Sequence, residues 1–346
     1  MKKSVLLLFV LIAIFSCKNK DAEQNTEETP QFTELQTKAR TFFGELPAVA
    51  ENKANPLTEA KIALGKALYF DPILSANNTQ SCNTCHNLNT YGVDNMQFSA
   101  GDGEGTMGGR NSPTVLNAAL HVAQFWDGRA ADVEEQAGGP ILNPVEMGMG
   151  GEKEVLDRVK KEPKYVDMFA AAYPDSTDKL TWKNLTNSIG AFERELITPG
   201  QFDKYLAGED SALTDEQKKG LQLFIDKGCI TCHIGNTLGG SMFQKFGIYG
   251  DYWNETKSPK HDEGKYEVTK NDADKYFFKV PSLRNVAKTY PYFHDGSVTD
   301  LKEAVRIMGK LQLNQGLTDE EVNDITAFLE SLTGEVPEDL KNNDQK

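Results

Sequence analysis

Four of the five cysteines fall into two tight pairs, Cys82-Asn83-Thr84-Cys85-His86 and Cys229-Ile230-Thr231-Cys232-His233. Each is a C-x-x-C-H run, the pattern of covalent haem c attachment. Two thiols add across the two vinyl groups of one porphyrin, and the adjacent imidazole turns to the iron. The sequence therefore implies two haem c groups, one held by Cys82, Cys85 and His86 and the other by Cys229, Cys232 and His233. Other uses of paired cysteines fit less well. A zinc ribbon spaces its pairs about 15–20 residues apart, much closer than positions 82 and 229. A thioredoxin-like redox pair needs a βαβ setting that the sequence lacks. Two disulfides in an exported chain would call for no histidine after each pair.

The elements around the two motifs follow one plan twice. Thr58 caps a helical stretch with Leu64 and Leu68 on one face, and a loop leads on to Cys82. Thr214-Asp215-Glu216-Gln217 is a capping box, and the helix after it carries Leu221, Phe224 and Ile225, stops at Gly228 and enters Cys229. A helix running into C-x-x-C-H is how small class I cytochromes begin. Each half also closes on a helix. Leu185, Ile189, Phe192 and Leu196 share a face in the first half, and Val322, Ile325, Phe328 and Leu329 follow the Thr318–Glu321 capping box in the second. Alternating strand patterns are scarce. The expected fold is mainly α: two class I cytochrome c-like haem domains with long loops, packed around an inter-domain interface. Their expected bounds are 32–197 and 198–336, with a polar tail over 337–346. The loops 87–112 and 234–280 are rich in Gly and Asn, and loops of such length commonly carry function.

The 346 residues, 39% of them apolar and 25% charged, suit one large or two modest globular domains. The net charge of −14 speaks against nucleic acid as a partner, since phosphate binding needs clustered Lys and Arg. No apolar run approaches the roughly 20 residues of a membrane span. At the N-terminus, Lys2 and Lys3 precede the apolar Val5–Phe15, and Ser16-Cys17 follows. This is the layout of an export signal, and Cys17 sits where a lipoprotein signal peptide, residues 1–17, carries its lipid-bearing cysteine. The polar residues 18–31 read as a flexible tether. The folded part is thus expected on the periplasmic side of the envelope, held to a membrane by a lipid anchor only.

Longer motifs surround the cysteines: SCNTCHN at 81–87, GRNSPTVLNA at 109–118, QFWDGRA at 124–130, EEQAGGPILNPVEM at 134–147, PSLRNVAKTYPYFHDG at 281–296 and EAVRIMG at 303–309. With these the sequence resembles the bacterial di-haem cytochrome c peroxidases over about residues 32–336. The resemblance implies reduction of hydrogen peroxide to water with two electrons from a small soluble cytochrome c or similar carrier. Electrons would enter at the second, high-potential haem, and peroxide would be cleaved at the first. It makes Met308 the sixth ligand of the second haem; a His/Met pair raises the potential. It makes Glu146 the acid–base residue beside the first haem and Gln136 a second distal residue that positions peroxide or water. Trp126 would lie between the haems as an electron route. A calcium ion between the domains would take the Asn111 side chain and the backbone carbonyls of Thr289 and Pro291, a hard-oxygen set. A homodimer is the family's habit. His294, inside a family motif, reads as structural, and His121 and His261 as ordinary histidines.

One departure stands out. Many family members carry a histidine in the loop after the first haem motif that blocks the peroxide site of the oxidised enzyme. The corresponding place reads Gly101-Asp102-Gly103, and residues 87–120 hold no histidine. Asp102 is a poor haem ligand in a Gly-rich loop expected to be mobile, so the first haem is expected to be open; Met96 and Met107 are the substitutes a closed site would use. Two rival readings remain: a related enzyme that oxidises another protein, like the maturase of methylamine dehydrogenase, and a plain di-haem electron carrier. The maturase has a tyrosine at the place of Met308, and a carrier has no use for Glu146.

Overall fold

The computed structural model describes residues 32–341. The expected signal peptide with Cys17, the tether to residue 31 and the last residues of the tail lie outside them.

The fold is mainly helical, as expected. Helices α1 (Glu34–Phe42), α2 (Glu59–Phe70) and α3 (Cys82–Cys85) are followed by α4 (Val133–Leu142), α5 (Glu152–Val159), α6 (Pro163–Ala172) and α7 (Trp182–Glu193). Helices α8 (Gln201–Leu206) and α9 (Asp215–Asp226) lead to the second motif. The short α10 (Tyr252–Thr256) and α11 (Tyr266–Thr269) lie between strands β1 (Phe243–Lys245) and β2 (Phe277–Lys279), and α12 (Leu301–Leu313) and α13 (Asp319–Glu330) come last before a final short turn. The two strands pair antiparallel with Phe243 opposite Lys279. The helix starts follow from their caps. Thr58 accepts from the Lys61 amide, and Thr214 and Thr318 form full capping boxes with Gln217 and Glu321.

Two apolar cores carry the two halves. Leu64, Leu68, Phe169, Leu185 and Ile189 belong to one, Leu221, Phe224, Val322, Ile325 and Phe328 to the other. Ala39 and Phe43, which precede the first haem motif, pack into the second core. In each half the helix before the motif crosses the closing helix at a glycine. A methyl group on Gly65 of α2 would lie 1.8 Å from the Ser188 carbonyl of α7, and one on Gly220 of α9 would lie 1.8 Å from the Asp324 carbonyl of α13. Backbones this close leave no room for a side chain. Gly220→Ala is therefore expected to cost about 1–3 kcal/mol by overpacking. Thermal unfolding of the variant beside Gly316→Ala, whose added methyl meets open space, checks this.

Candidate active site

The packing of α2 delivers the first haem motif. Tyr69, fully buried on α2, donates through its hydroxyl to the His86 carbonyl at 2.5 Å, and the single turn α3 closes with the His86 amide bonded to the Cys82 carbonyl at 2.9 Å. The His86 Nδ1 is buried, and the backbone of Gly92 and Pro113 lies beside the ring. Burial lowers the affinity of this ring for a proton, so it stays the neutral imidazole that a metal needs. The second motif is built on α9. Gly228 turns the chain with φ 93°, and the His233 amide bonds the Cys229 carbonyl at 3.0 Å. The His233 Nδ1 lies 2.9 Å from the Leu238 carbonyl. That contact makes Nδ1 the protonated nitrogen and leaves Nε2 free to ligate iron.

Each motif opens into its own cavity. The first, about 530 Å³, is lined by Cys82, Cys85, His86, Trp126, Gln136 and Glu146. The second, about 500 Å³, is lined by Cys229, Cys232, His233 and Met308, and again by Trp126. Both lie in the range of cofactor pockets, roughly 300–1,000 Å³. All four cysteines are free and half-buried at the cavity walls. With an imidazole in the wall beside each pair, the residues fit two haem c groups.

The distal side of the first cavity comes from α4 and the turn after it. Asp132 caps α4 by accepting from the Glu135 amide at 2.9 Å, which sets Gln136 in the first turn with its side chain free of any hydrogen bond among the described residues. The helix runs through Pro140 to Leu142 and is capped by Asn143, whose carbonyl accepts from the Glu146 amide at 3.0 Å in the following turn. Burial raises the pKa of the Glu146 carboxyl, opposed by the Arg129 guanidinium and by the Asn143 side chain. Glu193 stands in the same wall, its carboxyl pushed up to about 8 by burial and by the nearby Glu134. The sequence reading did not single it out.

Trp126 is fixed at both ends. Its indole Nε1 donates to the Asn111 carbonyl at 2.9 Å, and its own carbonyl accepts from the Lys279 amide at 2.8 Å. Met308, on α12, borders the second cavity and packs partly buried against the aromatic cluster of Phe246, Tyr252 and Phe278.

The segment of Asn111 lies against the segment of Thr289 and Pro291. The Asn111 amide bonds the His294 carbonyl at 2.8 Å, and the Asn95 side chain donates to the carbonyls of Lys288 and Tyr290 at 3.3 and 2.8 Å. The Asn111 side-chain nitrogen donates to the Met96 carbonyl at 2.9 Å, which turns its oxygen away. His294 is buried and stacks on Phe278 with ring centres 4.1 Å apart. His121 Nδ1 meets the buried Lys279 ammonium at 3.3 Å, and His261 stacks on Trp253 at 4.1 Å.

The loop at Gly101-Asp102-Gly103 differs from expectation. It was expected to be mobile, yet Asp102 is buried and its carboxylate accepts from Ser75, Asn77 and Thr79. A further regularity also escaped the sequence reading. Residues 113–132 and 281–300 repeat one another: Pro113 and Pro281, Asn117 and Asn285, Phe125-Trp126-Asp127-Gly128 and Phe293-His294-Asp295-Gly296, Asp132 and Asp300. Asn117 and Asn285 both take left-handed backbone, φ 59° and 61°, and both donate to the Thr198 hydroxyl, at 2.9 and 2.8 Å. Asp132 and Asp300 cap α4 and α12, the helices that carry Gln136 and Met308. The repeated Asn and Phe-x-Asp-Gly were the signal available in the sequence.

Comparison with known proteins agrees with this arrangement. Residues 59–211 match the family model for di-haem cytochrome c peroxidase, and residues 217–333 match that for cytochrome c. The cytochrome c551 peroxidase of Pseudomonas aeruginosa is 46% identical over 305 residues, 88% of this chain and 87% of that one. The chain belongs to the di-haem cytochrome c peroxidase family. As a peroxidase of this family it is an enzyme with two haem c groups, one per motif. More distant relatives are of the MauG type. The methylamine utilization protein MauG of Methylorubrum extorquens is 34% identical, covering 93% of the peroxidase chain and 91% of its own. A crystal structure of a MauG-like protein associated with microbial copper homeostasis superposes with a TM-score of 0.77 at 28% identity, over 87% of the peroxidase and 98% of that chain. Among the described residues of the peroxidase, no helix is long and apolar enough to cross a membrane.

Proposed function

We propose that the enzyme reduces hydrogen peroxide to two waters with two protons and two electrons drawn from a small soluble c-type cytochrome. The observation that carries this reading is the first cavity, where His86 and a half-buried Glu146 of raised proton affinity line the same space. Cys82, Cys85 and His86 would hold a haem in this cavity, and the group would supply the redox-active iron for peroxide reduction. Glu146 accepts the proton of one peroxide oxygen and returns it to the other, which departs as water. Gln136, whose side chain makes no hydrogen bond among the described residues, orients peroxide or water. Trp126 borders both cavities and offers an aromatic route between them. With Cys229, Cys232 and His233, Met308 would hold the second haem, and its thioether sulfur would raise the potential of that haem to suit electron entry. The Asn111 side-chain oxygen Oδ1 and the carbonyls of Thr289 and Pro291 accept no hydrogen bond among the described residues, which suits a calcium ion bridging their two segments. The enzyme works in the periplasm, lipid-anchored at Cys17, as a homodimer.

The absence of histidine from residues 87–120 supports a first haem that is open in the resting, fully oxidised enzyme. The diferric protein mixed with peroxide and reduced cytochrome c is then expected to turn over from the first cycle, as fast as a half-reduced sample. A lag confined to the oxidised sample would mean that another group closes the site. No turnover in either sample, with several donors tried, would overturn the peroxidase reading. Met308 in the second wall speaks against the protein-oxidising alternative, and Glu146 in the first against a plain electron carrier.

A further inference from the structure

Asp102 is a buried carboxylate with no cationic partner among the described residues. It is held by hydrogen bonds alone. One oxygen accepts from the Ser75 hydroxyl at 3.0 Å, from the Thr79 amide at 3.1 Å and from the Thr79 hydroxyl; the other accepts from the Asn77 amide. The Asn77 side chain in turn donates to the Asp102 carbonyl at 2.9 Å. Donors gathered this way from one short stretch make a cradle for a single anion, and the loop supplies the anion itself.

The far side of the same residue touches the catalytic turn. The Asp102 amide donates to the carbonyl of Glu146 at 2.7 Å. Gly101 packs so closely that an added methyl would lie 2.3 Å from the Val145 carbonyl. The Ala76 amide bonds the Met147 carbonyl at 2.8 Å, which closes the circuit between the cradle and the turn. The loop is also closed on itself, with the Gly101 amide on the Thr106 carbonyl and the Gly108 amide on the Ser99 carbonyl, both at 2.9 Å. Arg158 braces the cradle from outside by donating to the Ser75 carbonyl at 2.6 Å.

We propose that Asp102 is a positioning residue: its carboxylate latches the loop 99–108 onto residues 75–79, and its amide thereby holds the Glu146 turn against the first haem cavity in the resting enzyme. The loop cannot swing over the cavity without breaking the cradle, so the site is preformed rather than assembled on reduction. This inference rests on the reading of Glu146 as the acid–base residue, and its test separates the two.

The test compares the two-haem enzyme with Asp102→Ala, Thr79→Val and, as control, Glu104→Ala at the exposed loop tip. Hydrogen exchange of the amides of 76–79 and 101–106 is measured, with the spin state of the first ferric haem by electron paramagnetic resonance and the pH profile of kcat. Each lost charge-assisted bond is worth about tenfold or more in local opening. Asp102→Ala is expected to speed exchange of both segments by at least that factor, to change the spin-state mixture of the first haem and to displace the acidic limb of the profile. Thr79→Val, which removes one donor and keeps the shape, is expected to do the same in smaller measure, and Glu104→Ala to change none of them. Should Asp102→Ala fail to fold, Thr79→Val decides by the same readings. Exchange and spin state that stay at the wild-type level would overturn the latch. Exchange and spin state need no turnover, so a wild-type enzyme inactive towards peroxide would sink the peroxidase reading and leave the latch to be judged separately.

Discussion

Replacing Glu146 by Gln is expected to lower kcat/KM for peroxide by about 10²–10⁴-fold, the usual worth of a positioned acid–base group. The amide keeps the size of the side chain and the turn that follows α4, so haem content and thermal stability should stay near wild type. What it loses is the capacity to take a proton from one oxygen and give it to the other. The pH dependence gives the sign. Burial raises the pKa of Glu146, and Arg129 pulls it back down. The base form is needed at the start of the cycle, so activity is present above this pKa and is lost as pH falls through it. Arg129→Gln removes the opposing charge and is expected to move the acidic limb to higher pH, with the plateau rate little changed. A pH–rate profile of kcat/KM for wild type and both variants checks this. A Glu146→Gln enzyme of wild-type rate, or an acidic limb that Arg129→Gln leaves in place, would mean that another group moves the proton.

What the sequence disclosed and what it hid divide along the length scale of the interaction. The haem motifs, the Thr214 and Thr318 capping boxes and the helix faces of Leu64 with Leu68 and Val322 with Ile325 are local patterns, set by neighbours a few residues away. They were legible, and the helical class followed from them. That Gln136 and Glu146 share a cavity with His86 was legible only through resemblance, because chain spacing alone does not fold α4 back over α3. The anchoring of Asp102 was hidden. A glycine-flanked aspartate reads as a solvated loop residue, and only the fold brings Ser75, Asn77 and Thr79 around it. Lys279 was hidden likewise, since an isolated lysine between Phe278 and Val280 gives no hint of a buried ammonium between His121 and the Ala123 carbonyl. Gly65 and Gly220 were ambiguous. A glycine within a helix lowers confidence in that helix, and here each marks the place where two backbones touch.

The largest expected effect on electron entry belongs to Met308, where a ligand and a core residue predict different outcomes. Met308 borders the cavity of His233 and also packs among apolar side chains of α12 and its neighbours. Met308→Leu separates the two roles. As a volume-conserving swap it should cost less than about 1.5 kcal/mol of stability, so a purely structural methionine would leave the haem potentials and turnover unchanged. A ligand would not: the sulfur is gone, the second ferric haem should lose its low-spin methionine-ligated spectrum, and donor oxidation should slow. Met308→His replaces thioether by imidazole, and since the His/Met pair is what raises the potential, the second haem should fall by on the order of 100 mV, within the ~0.8 V that axial ligands span. At 59 mV per tenfold for one electron, that disfavours its reduction by the donor about 50-fold. The first haem should keep its potential, because Met308 borders only the second cavity. Potentiometric titration of both haems in the three proteins gives the result directly. A second-haem potential unmoved in both variants would return Met308 to the core and require another residue to set the entry potential.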